Sequence, residues 1–116
     1  MKHLTILAAL ALSGCVTATA TPQQISGNGD TATRDAVLGW AREPTSVSFR
    51  SFRAYDISNG ERAVCVDVNA RNGFGGFTGF VPMLVNHGPN RAPIIFEGGP
   101  AAYECNLLAQ GRSARF

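Results

Sequence analysis

The sequence has little charge and little histidine, and these shortages exclude several classes of function. Charged residues make up 16% of the 116 residues, and ten basic residues nearly balance eight acidic ones, which leaves a net charge of +2. A balanced chain lacks the basic surface that attracts nucleic acid or an anionic bilayer. With only His3 and His87 and three cysteines, the sequence also lacks the ligand clusters typical of zinc sites. We therefore expect no nucleic-acid partner, no metal and no cofactor.

The sequence also lacks an apolar run long enough to cross a membrane. Its longest run, residues 4–12, follows Lys2 and His3 and is broken at Ser13, whereas a spanning helix needs about 20 residues. A short basic start followed by an apolar run of this length is typical of a cleaved signal peptide. Because Lys2 is the only lysine, removal of residues 1–14 leaves 102 residues, with nine arginines against eight acidic residues.

The tetrapeptide Leu12-Ser13-Gly14-Cys15 resembles the lipobox of bacterial lipoproteins. That resemblance implies cleavage before Cys15 and acylation of this residue, and several acyl chains anchor a protein far more firmly than one. In the lipoproteins that this segment resembles, Asp after the cysteine is the signal for retention in the inner membrane. Because Val16 stands there, the resemblance favours the outer membrane, facing the periplasm. An ordinary cleavage at Ala18-Thr19-Ala20 is the alternative, and it would remove Cys15. We predict a signal peptide over 1–14, a lipidated flexible tether over 15–30 and one domain over 31–116.

Two cysteines remain once the lipid-bearing Cys15 is set apart. Cys65 and Cys105 form an even pair in a chain sent to an oxidising compartment, so we predict a disulfide between them. Closing a loop of this length stabilises a small domain by about 4 kcal/mol in the chain-entropy model. A catalytic thiol or a metal ligand is the alternative, but the sequence contains no Cys-x-x-Cys pairing.

The first predicted helix begins at residue 31, where Asp30 or Thr31 can cap it, and Pro44 forbids its continuation. Val37 and Trp40 fall on one face of this helix. We interpret Trp40 as a core anchor, with stacking on a ligand as the alternative.

The second predicted helix begins at Gly99-Pro100, because proline is favoured in the first helical turn. Ala101, Cys105 and Leu108 share one face, which would pack Cys105 against the sheet. Gly111 ends the helix, and a loose tail is expected after it.

A β-hairpin is predicted between these helices. Residues 46–57 and 62–70 flank Asn59-Gly60, a pair that supplies the positive φ angles of a tight primed turn. Val64, Val66 and Val68 alternate, so Cys65 lies on the opposite face, which the segment carrying Cys105 would cover.

Residues 79–86 and 92–97 read as two further strands, separated by a turn at 87–90. We therefore predict an α+β fold, with an antiparallel sheet of about four strands, an N-terminal helix, a C-terminal helix and one disulfide.

The most distinctive stretch is 72–80, which has four glycines and three phenylalanines in nine residues. Its spacing matches neither glycine-rich nucleotide motif, since Thr78 stands where a dinucleotide fingerprint has glycine. We expect a bulged connection whose phenylalanines pack inward. An exposed aromatic and amide surface that binds a partner is the alternative. Its candidate residues are Asn69, Arg71, Asn72, Phe74 and Phe77.

Residues 43–50 and 64–80, together with the late Cys105, resemble a family of small uncharacterised exported bacterial proteins and lipoproteins. That family carries a "dP.S..Fr" element and a "vCG.vNakN.fGGy.GF" motif, from which this sequence departs at Val66, where the family has Gly, and at Phe77, where it has Tyr. The resemblance covers about residues 31–108 and implies an exported domain with a disulfide. It supplies no activity and no catalytic residue.

The expected function is that of a membrane-anchored lipoprotein of the cell envelope, acting as a binding or structural module for an envelope protein or cell-wall partner. An inhibitor of an envelope-attacking enzyme such as lysozyme is the alternative. A cell-wall hydrolase is disfavoured, because His87 is the only histidine after the signal peptide and no Ser lies in a G-x-S-x-G motif. Pairing of Asp67 with Glu97 or Glu104 is not predicted by their spacing.

Overall fold

The computed structural model describes residues 18–23, 30–72 and 74–113, and within these ranges the chain forms six strands, two α-helices and one 3-10 turn. The elements in chain order are β1 (Ala18–Gln23), α1 (Thr31–Trp40), the 3-10 turn (Pro44–Ser46), β2 (Ser48–Ile57), β3 (Arg62–Asn69), β4 (Val81–His87), β5 (Ile94–Glu97), α2 (Gly99–Ala109) and β6 (Arg112–Ser113). Neither helix in this part of the chain is long and apolar enough to cross a membrane.

The strands form one curled antiparallel sheet, a half-barrel, in the order β5-β4-β3-β2-β1-β6. Strands β2 to β5 are neighbours in the sheet in the same order as in the chain. β1 lies on the other side of β2 and pairs with it. The prediction of about four strands is wrong, because the described residues contain six. The antiparallel arrangement and two helices are present, but β1 precedes α1 and β6 follows α2, so the helices are not the terminal elements of the described chain.

The two strands that sequence reasoning missed lie at the ends of the domain. β1 falls within the segment predicted as a flexible tether, and β6 within the tail predicted to be loose. In β1, Ala20 pairs with Ile57 of β2 and Ala18 pairs with Ser113 of β6. Ala18 and Ala20 are buried. Their small side chains show little hydrophobic alternation in the sequence, so the strand depends on neighbours that are distant along the chain.

One face of the sheet packs against α1. Val66 and Val68 of β3 lie here with Met83 and Val85 of β4, and Val37 of α1 covers them. A bulge in β2 gives Ser51 a φ of 59° and shifts the register between Arg50 and Arg53. The bulge brings both Phe49 and Phe52 onto this face, with ring centroids 5.6 Å apart, whereas strict alternation along β2 would place Ser51 on the same face as Phe49.

The opposite face packs against α2. Cys65 and Leu84 of the sheet contact Ala101, Cys105 and Leu108 of the helix. The Cys65–Cys105 disulfide is present, with a Cα–Cα distance of 6.1 Å. The period of two in β3 thus correctly predicted that the valines and Cys65 face different layers, and that α2 covers the cysteine side.

The hairpin between β2 and β3 is confirmed, but its turn differs from the predicted one. Gly60 has a φ of 90°, and it is the only residue of this turn with a positive value. The Ile57 N–H bonds to the Glu61 carbonyl at 2.8 Å, and the Asn59 side-chain oxygen accepts the Glu61 N–H at 3.0 Å. The Gly60 N–H also bonds to the Ile57 carbonyl at 3.0 Å. This is a three-residue loop in which one left-handed glycine follows a type I turn, whereas the type I′ turn expected of Asn-Gly needs two positive φ values.

Trp40 is not a core anchor. It is the last residue of α1 and 44% of its surface is exposed. Val37, one turn earlier, is the helix residue buried against the sheet.

Candidate functional site

The sheet has two ends with different surroundings. At one end lie the β2–β3 turn (58–61) and the start of β1, where the Ser58 N–H bonds to the Thr19 carbonyl at 2.9 Å; we call this the turn end. At the other end lies loop 70–80, between β3 and β4, and we call this the loop end. Helix α1 runs from the turn end, where Thr33 contacts His87, to the loop end, where Trp40 lies.

Loop 70–80 is closed by its own hydrogen bonds. Arg71 and Phe77 form a β-bridge, and the Asn72 N–H bonds to the Gly76 carbonyl at 2.8 Å. The Asn72 side-chain oxygen accepts the N–H groups of Phe74 at 2.9 Å and Gly76 at 3.2 Å. Gly75 has a φ of 82°, which a side chain would disfavour. Asn72 therefore shapes the turn, as Asx residues commonly do.

The phenylalanines of this loop point outward, so the expectation of inward packing is wrong. Phe74 is fully exposed and Phe77 is 56% exposed, while Phe80 is partly exposed. The Arg71 guanidinium lies 5.2 Å from the Phe77 ring centroid, and the Arg50 guanidinium lies 3.9 Å from that of Phe80. The loop thus presents aromatic rings and cations together, an arrangement that suits recognition of a partner.

Beside the loop lies a cleft of about 450 Å³. Its floor is apolar and comes from the sheet, from Val68, Val81 and Met83. The end of α1 supplies Trp40, and the residues that follow supply Arg42. Arg71, Asn72 and Thr78 of the loop and Glu97 of β5 also line it. Sites for small ligands are concave and mostly apolar, with a few polar groups, and this cleft has that composition.

The arginines of the cleft are not engaged with acidic side chains. Across the described parts of the chain, neither Arg42 nor Arg71 forms an ion pair with a carboxylate. Arg50, outside the cleft, pairs with Asp67 at 3.4 Å. The Arg71 guanidinium lies instead against the Phe77 ring, a contact that leaves its N–H groups without a carboxylate, so both arginines can bind an external anion.

The predicted candidate surface divides between these features. Arg71 and Asn72 line the cleft, and Phe74 and Phe77 lie on the exposed loop beside it. Asn69 ends β3, is half-buried and does not line the cleft. Sequence reasoning missed Arg42 and Glu97 as lining residues, and it gave Trp40 as a ligand contact only as the alternative to a core anchor. One signal for this site was present in the sequence: its single Trp lies two residues before an arginine, close to the end of the first helix.

A polar cluster at the turn end joins α1 to the sheet. The Asp30 carboxylate accepts hydrogen bonds from Arg62 and from the Thr33 hydroxyl, both at 2.6 Å. Thr33 Oγ1 also lies 2.8 Å from His87 Nε2. Since a hydroxyl has one proton and here gives it to Asp30, His87 must donate from Nε2. In a catalytic triad, a lone pair of the histidine accepts the proton of the nucleophile. Here His87 donates a proton to Thr33 instead, so the direction of the hydrogen bond is the reverse of that in a triad. Thr33 is also buried.

Burial and charge shift the pKa values of this cluster. Burial disfavours ionisation of Asp30, but hydrogen bonds from Arg62 and Thr33 and the positive charge of Arg62 together hold its pKa below the ordinary value. Burial also lowers the pKa of His87; the Asp30 carboxylate opposes this, and the charges of Arg62 and Arg91 add to it. An anionic Asp30 and a neutral His87 are thus the forms that the fold favours.

A second cluster of polar side chains stabilises the β4–β5 turn. Buried Asn86 donates to Glu61 Oε2 at 3.0 Å, and Arg91 bonds to Glu61 Oε1 at 3.1 Å and to the Asn86 side-chain oxygen. The hydrogen bond from Asn86 is the largest influence on Glu61 and holds its pKa below the ordinary value.

The other carboxylates that could have formed an acid pair have separate surroundings. Asp67 bonds to Arg50, Glu97 lines the cleft, and buried Glu104 accepts a hydrogen bond from Ser113 at 2.5 Å. Among the residues that the structure describes, no three His, Cys, Asp or Glu side chains group as metal ligands.

Comparison of the chain with protein-family models, with curated proteins and with solved structures gave no match. The resemblance of residues 31–108 to a family of exported bacterial proteins therefore stays a prediction. The function has to be argued from the geometry of this molecule.

Proposed function

We propose that the protein is a lipid-anchored binding module of the bacterial cell envelope, on the outer membrane facing the periplasm, and that its loop end takes the partner. The observation that carries this proposal is the position of the exposed phenylalanines. Phe74 and Phe77 lie at the end of the sheet opposite to the start of β1, the strand that follows Cys15 in the sequence.

The position of β1 supports cleavage before Cys15, although Cys15 itself lies outside the described residues. Cleavage after Ala20 would remove half of β1, including buried Ala18 and its pairing with β6. Cleavage before Cys15 leaves the strand whole. A signal peptidase that removed part of the folded sheet would cost the domain stability, so the lipoprotein route fits the fold better.

Covalent geometry supports the orientation. Three peptide units separate Cys15 from Ala18, so the two residues can be at most about 11 Å apart. Strand β3 has eight residues and spans about 25 Å from the turn end to the loop end. An acylated Cys15 would hold the turn end near the bilayer and leave the loop end free to meet a partner.

Capture from cross-linked envelopes tests the proposal. The tagged lipoprotein is compared with a Phe74→Ser/Phe77→Ser variant and with a matched control, Tyr103→Ser. Tyr103 is also an exposed aromatic, at 62%, but it lies on α2. We expect a specific partner that the control captures and the loop variant loses. Equal capture by all three proteins, or capture of nothing specific, would contradict the proposal.

Inhibition of an envelope-attacking enzyme is a second candidate, and Arg71 is the residue that favours it. Glycosidases of the lysozyme type use two carboxylates beside the bond they cleave. A loop that presents Arg71 beside the exposed ring of Phe77 has the charge to enter such a site. The purified domain should then inhibit lysozyme, and Arg71→Gln should abolish the effect. Undiminished lysozyme activity at micromolar excess of the domain would dispose of this candidate.

A further inference from the structure

The cleft at the loop end carries the features of a small-ligand site. Its volume, about 450 Å³, falls within the range of about 300–1,000 Å³ that such sites occupy. Val68, Val81 and Met83 give it an apolar floor, and Trp40 offers a flat, partly exposed indole face at one wall. An indole combines a large apolar surface with little conformational freedom, which suits it to contact a ring.

The two arginines define the charge of the ligand. The Arg71 backbone is held in place, because its N–H bonds to Ser46 Oγ at 3.0 Å and it forms the bridge with Phe77. Arg42 follows α1 and lines the same cleft. In the described ranges neither has a carboxylate partner. The planar guanidinium matches a carboxylate or a phosphate through paired hydrogen bonds. Glu97 lines the same cleft, and an ionised Glu97 disfavours a phosphate of nearly two negative charges more than a singly charged carboxylate, so a carboxylate is the group these residues would hold.

Glu97 determines which chemical groups the ligand needs on the side away from the arginines. It pairs with Met83 of the floor, and β4 separates its strand from β3. Two strand spacings place β5 about 10 Å from β3, the strand that leads into Arg71. An ionised carboxylate only accepts hydrogen bonds. A ligand with a carboxylate at one side and hydroxyl or amide donors at the other therefore satisfies both sides of the cleft.

We propose that this cleft binds a carboxylate-bearing, N-acylated sugar, with the ring against Trp40 and the carboxylate on Arg42 and Arg71. The carboxylate, the ring and the hydrogen-bond donors follow from the lining of the cleft, and the acylated amine is the donor that an envelope location would supply. That the natural source is cell-wall glycan whose lactyl carboxylates carry no peptide rests on the proposed function, because only an envelope location would bring the cleft to such a polymer.

Tryptophan fluorescence measures the occupancy of the cleft directly, since Trp40 is the only tryptophan in the chain. The mature chain carrying Cys15→Ser is titrated with N-acetylmuramic acid and with N-acetylglucosamine. The two sugars share the ring and the acetamido group, and only the first has a lactyl carboxylate. We expect a saturable change in emission with N-acetylmuramic acid, and at least tenfold weaker binding of N-acetylglucosamine.

Three variants assign the binding to the arginines. Arg42→Gln and Arg71→Gln should each weaken binding of N-acetylmuramic acid by about tenfold, the usual effect of losing one charge-assisted hydrogen bond. Arg53→Gln is the matched control, because Arg53 is exposed on β2 and lines a different depression, on the α2 side. Thermal unfolding of each variant verifies that it is folded.

Equal binding of the two sugars, no change in emission at millimolar sugar, or unchanged affinity in both cleft variants would overturn the inference. These outcomes are separate from those of the envelope capture, which depends on Phe74 and Phe77. If the loop variant loses a partner while neither sugar binds to the cleft, the proposed function stands and the sugar site does not. If N-acetylmuramic acid binds and no partner is captured, the sugar site stands and the proposed function does not.

Discussion

His87 lies half-buried beneath α1, and its surroundings favour the neutral imidazole. Burial lowers its pKa, the charges of Arg62 and Arg91 lower it further, and Asp30 opposes them. In the unfolded chain the imidazole has a pKa of about 6.5. As the pH falls below that value, the unfolded chain takes up the proton first, so the free energy of unfolding decreases until the pH has passed the folded pKa.

We predict that His87→Gln removes this part of the pH dependence. Urea unfolding at pH 7.5 and at pH 5 should show a smaller loss of stability for the variant than for the native domain. In a chain that begins at Cys15, His87 is the only histidine, so its folded pKa can be read by NMR without ambiguity. A folded pKa at or above 6.5, or an equal loss of stability in both proteins, would contradict the prediction.

Asn72 is a residue for which the structure favours a turn role over direct contact with a partner. Its side-chain oxygen accepts two backbone N–H groups of an exposed loop, so Asn72→Ala should lower the free energy of unfolding by about 1 kcal/mol. Asn72→Asp keeps the acceptor and should lose much less. Urea unfolding of the two variants checks this, and an equal loss in both would show that the two hydrogen bonds contribute little.

At the scale of elements, the parts predictable from the sequence are those set by local pattern. Asn59-Gly60 and the alternating valines define the hairpin, and Cys65 and Cys105 define the disulfide. Strand β1 was not predictable, because its alanines carry little hydrophobic signal and both of its partners are distant in sequence.

The candidate site was only partly predictable, for a related reason. Alternation shows which side chains share a face, but not whether anything covers that face. Trp40 falls on the apolar side of α1, yet it sits at the last position of the helix, where the cleft leaves it partly exposed. Phe74 and Phe77 lie in a glycine-rich loop, which has no periodic pattern to say whether a ring points in or out.

The first half of β1 gives a prediction about processing. Ala18 and Ala20 are buried against the α2 side of the sheet, and the Ala20 N–H bonds to the Gly111 carbonyl at 3.0 Å. A chain that begins at Thr21, as cleavage after Ala20 would produce, should therefore unfold with a free energy lower by about 2 kcal/mol or more than one that begins at Val16.

Urea unfolding of these two chains, with a chain beginning at Ala18 as the control, makes the measurement. The control keeps the whole strand and should match the longer chain. If the chain beginning at Thr21 unfolds at the same urea concentration as the other two, β1 adds no stability and the argument for cleavage before Cys15 loses its support.

At the scale of the whole molecule, the early start of β1 changes how the domain would stand on a membrane. Residues 15–30 were predicted as a tether, but β1 begins at Ala18, so only Val16 and Thr17 separate a lipidated Cys15 from the sheet. The domain would lie against the bilayer with its turn end. The cleft and loop 70–80 would then face away from the bilayer, about 25 Å above it.

We predict that brominated lipids, which quench tryptophan only at short range, do not quench Trp40 when the lipidated protein is bound to vesicles. Trp40 lies at the loop end, whereas Asn59 is exposed in the turn at the other end. A Trp40→Phe/Asn59→Trp variant moves the only indole to the turn end, and its emission should be quenched. The Cys15→Ser form of each protein controls for adsorption without an anchor. Stronger quenching of Trp40 than of the relocated indole would mean that the domain stands the other way up, with its cleft covered by lipid and closed to a partner in the periplasm.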